Sequence, residues 1–439
     1  MKKMCKFGLR PMMMAAFALC TLAATAQEKL ALTLDQAIEI ALSDNPTIQV
    51  AEQTIELKKI SNKETALGLL PEASLSGAYT RTIKKQMVKI GDMEPIPMGV
   101  FNQYQGGVTV SLPIFAPTLY KSMKLTKTDV ALAVEQARAS KQDLINQVTK
   151  AFYQALLAQD SYAVLQKAFA QSEENFRIVN AKYEQGRVSE FDKISAEVQM
   201  RNMQPSVISA RNGVELSKLQ LLVLMNIEPE TEIELQGSLN DYEEAVFAGV
   251  LTADTSSLKS NSTLAQLDMN VKMLQQSLSI NKQSFAPIVA LQFNYMYTCM
   301  AEDFKFKEYA WKPYSNLSLS VSIPLFKYSN FSAVKKTNLQ ISQLMTNRDY
   351  TARQLAMQQQ SYLNSMAASA EQVSSNKEAI VQAQKGRDIA EKLYEVGRGT
   401  VLELNSAEVA LTQAKLTYTQ AIYDYLSVKT DLDKLQGKE

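Results

Sequence analysis

The chain has 439 residues, with 46 basic and 45 acidic side chains, no histidine, three cysteines, 15 glycines and 12 prolines. A balanced, scattered charge gives no basic face for nucleic acid, and the lack of histidine removes the commonest catalytic base and metal ligand. With so few turn-forming residues, long helices with narrow apolar seams fit better than one large compact core, and no cofactor is expected.

The first 26 residues read as a cleaved export signal. Lys2, Lys3, Lys6 and Arg10 precede an apolar run from Met12 to Leu22, and Ala24-Thr25-Ala26 offers small residues for cleavage before Gln27. The run is shorter than the roughly 20 residues of a spanning helix. Leu19 ahead of Cys20 argues against lipidation. Without this segment the balance is 42 basic to 45 acidic, and Cys299 alone remains, so no intrachain disulfide is possible. No later stretch is apolar enough for a transmembrane helix, and any membrane crossing must be made by strands.

In chain order, residues 27–226 read as a first helix–hairpin–helix unit. Thr33 to about Leu70 is helical in pattern, broken at Asp44-Asn45-Pro46, where Asn can cap and Pro can take the first helical position. Pro71 ends this stretch. Strands at about 72–86 and 102–113 flank a loop around Gly91 to Pro95, and Ala116 to about Tyr183 is an unbroken helical pattern. Its 68 residues span about 100 Å. Gly186 interrupts it, and a helix follows from about Ser189 to Asn226. Thr33–Leu70 and Ser189–Asn226 are 38 residues each, so end to end they match the long helix. Apolar residues three and four apart, as in Leu156, Ala163, Leu165, Phe169, Phe176 and Val179, predict coiled-coil-like seams. Pro205 predicts a local bend. Residues 227–260 form a linker whose Glu228, Glu230, Glu232 and Glu234 read as solvated surface. Residues 261–437 repeat the pattern, with strands at about 288–299 and 314–324, a helix to Tyr394, a break at Gly397 and a helix to about Leu435.

The repeat is in register. Val110-Ser-Leu-Pro113-Ile-Phe115 returns as Val321-Ser-Ile-Pro324-Leu-Phe326, 211 residues on. Tyr183-Glu-Gln-Gly186-Arg187 returns at the same offset as Tyr394-Glu-Val-Gly397-Arg398, and Ser195-Ala-Glu197-Val198 as Ser406-Ala-Glu408-Val409. Between the prolines, Tyr104 to Leu112, Leu291 to Tyr297 and Asn316 to Ile323 alternate apolar with polar residues, and Ser74 to Arg81 does so more weakly. Segments of about 10 residues suit a tilted strand crossing a bilayer. Tyr79, Phe101, Tyr104, Tyr295, Tyr297, Trp311 and Tyr314 would make an interfacial girdle. Four strands cannot close a barrel and open edges are not tolerated in lipid, so the strands call for partner chains.

Leu32-Thr-Leu-Asp-Gln-Ala37-Ile38, Ala41-Leu42, Asn45-Pro46 and Leu70-Pro71 resemble the opening of the TolC-type outer-membrane efflux proteins. The strand-to-helix motif at Pro113 and the turns Tyr183-x-x-Gly186…Asp192 and Tyr394-x-x-Gly397…Glu403 are similar to that family as well, in the same order and in both copies. The resemblance implies an α+β membrane protein: a trimeric transmembrane β-barrel taking four strands per protomer, continued by a long periplasmic α-helical barrel. It further implies a passive exit duct for efflux or type I secretion, served by a periplasmic membrane-fusion adaptor and an inner-membrane pump. The linker would belt the tunnel's middle. Gln185, Gly186, Arg187, Val188, Val396, Gly397, Arg398 and Gly399 would lie in the adaptor-docking turns. Asp192 and Glu403 are the gate candidates, although Ser406 stands where the family often has a second acid. Helix-surface acids near an N-terminus are the bland alternative for both. Among rival classes, an enzyme finds no nucleophile motif or phosphate loop here. An exported coiled-coil structural or surface protein would account for the helices but not for the Pro-bounded hairpins. The substrate, whether drug, metal ion or polypeptide, is not written in the sequence.

Overall fold

The computed structural model describes residues 30–89, 91, 94–244, 246 and 258–438; the export signal expected at 1–26 lies outside them. The chain opens with β1 (Leu30–Leu32), α1 (Leu34–Asp44) and α2 (Pro46–Leu67). Thr33 starts α1 with a capping box to Gln36, and Asn45 with Pro46 starts α2, the latter as the sequence predicts. Four further strands follow, β2 (Glu72–Arg81), the short β3 (Gln86–Val88) and β4 (Ile96–Met98), and β5 (Asn102–Phe115). Next come α3 (Pro117–Glu184), α4 (Glu190–Leu224) and β6 (Ile233–Leu235). The second copy contributes α5 (Ser262–Gln283), β7 (Ile288–Ala301), β8 (Lys312–Ser322), α6 (Tyr328–Glu395) and α7 (Val401–Leu435).

The helices of the two copies match in length. α3 and α6 have 68 residues each, α4 and α7 have 35, and α2 and α5 have 22. Each long helix lies beside two shorter ones: α3 packs on α2 and α4, and α6 on α5 and α7. α3 also packs on α5 and α7, which joins the copies. One expectation changes. Only α2, not the whole Thr33–Leu70 stretch, stacks on α4, because the extended backbone at Asn45 separates α1. The stacked pair therefore reaches roughly 85 Å beside the 100 Å or so of α3. Pro205 lies within α4, which runs through it.

α1 instead enters the main apolar core. Ala37 and Ala41 pack there with Leu32 of β1, Ile233 and Leu235 of β6, and Phe152 and Leu156 of α3, joined by Leu221 of α4 and Tyr425 of α7. β1 and β6 pair in parallel, and the Leu239 amide donates to Asp160 at 2.9 Å. The linker thus begins packed against the helices, with Glu228, Glu230, Glu232 and Glu234 exposed. Of the predicted seam, Leu156 and Val179 are buried, whereas Ala163 is exposed.

The sheet runs β2-β5-β7-β8, antiparallel throughout. Its first strand ends at Arg81, short of the expected 86. Beyond the Arg81–Asn102 pair the chain leaves the sheet, and β3 pairs with β4 as a separate ribbon. β5 runs on past Pro113 to Phe115, with a register shift where the proline cannot donate. β8 occupies Lys312–Ser322, two residues earlier than expected at each end. Register sorts the side chains cleanly. Leu75, Val108, Tyr295 and Ser315 share one row of pairs, and Ala73, Val110, Phe293 and Leu317 the next, on the apolar face. Ser74, Thr109, Asn294 and Asn316 fall on the other face, where Thr109 donates to Asn294 at 2.8 Å and Asn294 to Asn316 at 2.9 Å. Tyr314 pairs with Met296 on this polar face and leaves the predicted girdle. Tyr79 and Tyr104 stack at 4.7 Å on the apolar face, with Trp311 at 6.4 Å from Tyr104. Among the described residues, no helix is long and apolar enough to cross a membrane.

Candidate functional site

Two helix reversals define one end of the helical body. The long helix α3 ends at Gly186 with φ +68°, and α6 ends at Gly397 with φ +71°. The left-handed region at these positions favours glycine, which has no Cβ to clash. Around each, the backbone closes the same pair of hydrogen bonds. Arg187 donates to Lys182 at 2.9 Å and Gly186 to Tyr183 at 2.8 Å; Arg398 donates to Leu393 at 2.9 Å and Gly397 to Tyr394 at 3.2 Å. This is the glycine C-cap that satisfies the last helical carbonyls. The returning helices begin with matching capping boxes. Asp192 accepts from the Ser189 amide at 3.1 Å, and Glu403 from the Thr400 amide at 2.8 Å.

The turns sit side by side. Val179, Ala196 and Val401 form a small buried cluster, flanked by Phe176, Val188 and Tyr394. Lys182 lies 4.4 Å above the Tyr394 ring, and Lys193 lies 4.9 Å from that of Tyr183. Burial raises the Tyr394 hydroxyl above its ordinary range, and the nearby charge of Asp192 adds to this. The backbone amide of Thr400 holds the Glu403 carboxyl below the usual glutamate range. Gln185, Gly186, Arg187, Val396, Gly397 and Arg398 are exposed, whereas Val188 and Gly399 are half-buried. Gly399 fits tightly, because a Cβ there would lie 3.0 Å from the Tyr394 amide nitrogen.

The sequence motifs did not disclose a polar bridge between the copies just above the turns. Asn175 of α3 donates to Glu408 of α7 at 2.7 Å, and Arg387 of α6 lies 3.9 Å from the same carboxylate while pairing with Glu391 at 2.6 Å. Glu408 sits in the repeated Ser-Ala-Glu-Val motif, but among the described residues its counterpart Glu197 pairs only with Arg201 on its own helix, at 2.8 Å. The motif marked the position, and only packing showed that the two glutamates differ.

At the other end, the four-stranded sheet has edges at β2 and β8 with no strand partner among the described residues, and its apolar face bears exposed Leu75, Leu317 and Leu319. A sheet of this kind joined to a helical body of about 100 Å has close counterparts. Its fold matches the Campylobacter jejuni CmeC outer membrane channel with a TM-score of 0.71 at 15% identity, over 92% of this chain and 85% of that one. In sequence it is 21% identical to the outer membrane protein TolC of Vibrio cholerae, over 91% of this chain and 88% of that protein. It is also 21% identical to the alkaline protease secretion protein AprF of Pseudomonas aeruginosa, over 91% and 83%. The pattern of one family covers both copies, residues 37–226 and 245–438. The chain belongs to the outer membrane efflux protein family.

Proposed function

We propose that this chain is one protomer of a homotrimeric outer-membrane exit duct, each copy giving four strands to a shared twelve-stranded barrel. The observation that carries the reading is the sheet with one apolar face and two bare edges, β2 and β8. Such edges in lipid must pair with other chains. The apolar face with Leu75, Val108 and Phe293 then meets lipid, and the Ser, Thr and Asn face lines the pore. Residues 1–26 act as the cleaved export signal, residues 27–226 and 261–437 as the two repeat units, and 227–260 as the equatorial belt.

The helical body extends into the periplasm and ends at the two glycine turns. The exposed Gln185, Gly186, Arg187, Val396, Gly397 and Arg398, with the half-buried Val188 and Gly399, form the surface on which a membrane-fusion adaptor docks. Asp192 and Glu403 stand at the mouth, where a threefold ring of Glu403 would attract cations and repel anions. An inner-membrane pump supplies the energy and selects the substrate.

A cysteine scan tests the assembly. One cysteine in the Ser74–Ala78 stretch of β2 is combined with one in the Asn316–Ser320 stretch of β8. The expected result is oxidation of at least one pair to a covalent trimer in the outer-membrane fraction. A monomer released by salt from the periplasm, with no cross-linked pair, would overturn the reading.

A further inference from the structure

Beside the Asn175–Glu408 bridge lies a cleft of about 710 Å³, walled by α3 and α4 of the first copy and α6 and α7 of the second. Its charged lining is Lys167, Arg387, Lys415 and Glu408. That is three positive groups against one negative. Glu408 is the acceptor for Asn175, and Arg387 is held by Glu391 on its own helix. Among the described residues, the ammonium groups of Lys167 and Lys415 have no hydrogen-bond or ion-pair partner. Lys415 is half-buried, and burial lowers its pKa, with the like charges of Lys167 and Arg387 adding to the effect. A half-buried ammonium beside two other cations calls for a counter-charge. The remaining wall is mixed: Leu165, Leu411 and Leu416 give it an apolar part, and glutamines such as Gln171 and Gln384 a polar one.

We propose that this cleft binds an amphiphilic organic anion, its anionic head between Lys167 and Lys415 and its apolar part against Leu165, Leu411 and Leu416. The volume is in the range of small-molecule sites, and apolar side chains beside convergent charged groups are a construction such sites use. An occupant held this way spans the copies, because Lys167 belongs to α3 and Lys415 to α7. It would therefore tie the two hairpins together above the turns. The site goes beyond the exit-duct reading, since it concerns the wall between helices and not the pore.

Binding of 2-naphthoate to the intact protein in lipid nanodiscs, measured by titration calorimetry against empty nanodiscs, tests this. Saturable binding at one site per chain is expected, with no saturable binding of 2-naphthylmethylammonium. Lys415→Gln should weaken naphthoate about tenfold, the worth of one charge-assisted hydrogen bond. Lys167→Gln, at an exposed position, should weaken it in the same direction without affecting folding. Glu408→Gln should tighten it, because the competing negative charge is removed. The proposal is overturned if naphthoate shows no saturable binding, if the ammonium probe binds as well, or if Lys167→Gln and Lys415→Gln both leave the affinity unchanged. These readouts use bound probe and not transport, so a failed site and a failed duct remain distinguishable.

Discussion

The side-chain amide of Asn45 donates to the Leu224 carbonyl at 2.8 Å while its oxygen accepts from the Thr47 amide at 2.8 Å. The second copy repeats this: Asn261 donates to Leu435 at 2.8 Å and accepts from Leu264 at 3.1 Å. One side chain thus caps the start of one helix and the end of another, which is how the half-length helices stack. Asn45 and Asn261 are 6% and 4% exposed, so little water is at hand to replace either bond.

Asn45→Ala and Asn261→Ala should each lower stability. Loss of the cap costs about 1 kcal/mol, and the buried carbonyl left without a donor adds about 1–3 kcal/mol. Asn→Asp at either site keeps the capping oxygen but turns a carboxylate oxygen toward the buried carbonyl, so it should destabilise through that end of the bridge while the cap remains. Thermal melts followed by circular dichroism check this, and an unshifted midpoint for both alanine variants would contradict it.

At Gly107 the strands of the two copies, β5 and β7, leave no room for a side chain. A Cβ there would lie 2.2 Å from the Tyr295 carbonyl oxygen and 2.6 Å from the Met296 Cα, both backbone atoms that cannot swing aside. Gly107→Ala should cost more than the about 1–3 kcal/mol of ordinary overpacking and abolish the cross-linked trimer expected of the β2–β8 cysteine pairs. Gly106→Ala, whose Cβ would come no nearer than 3.6 Å to the Ser76 oxygen, should assemble normally.

Glu403→Gln separates the cap from the charge. Glutamine at the third helical position can keep the capping box, so the melting midpoint should hardly move. In planar bilayers the cation preference given by the reversal potential should fall. Because the Thr400 amide depresses the Glu403 pKa, the wild-type preference should persist through the ordinary glutamate range. It should decline only as pH falls through the lower, folded-state value. Unchanged selectivity in the variant would remove Glu403 from the gate.

Glu408 should behave in the opposite sense. Burial raises its pKa, the largest of several influences that include the lowering effects of Asn175 and Arg387. In the window between the unfolded value and this raised value, the folded protein holds the proton more firmly. The resulting stabilisation is complete below the unfolded value and is lost as pH rises through the folded one. Glu408→Gln should flatten that part of the stability–pH curve and be neutral or stabilising at pH 7. A variant curve parallel to the wild type would contradict the assignment.

Much of this architecture was legible because its determinants are local. The cap at Asn45, the breaks at Gly186 and Gly397 and the alternation from Tyr104 to Leu112 act within a few residues of themselves. The 211-residue echo then made each copy a check on the other. What the sequence could not specify is lateral. That α1 leaves the stack for the central core, that Tyr314 falls on the polar face, and that Glu408 turns to Asn175 while Glu197 stays with Arg201 were decided by packing between distant segments. Identical motifs carry no record of their neighbours. The burial and charge that separate Glu408 from Glu197 arise only where the two copies are pressed together.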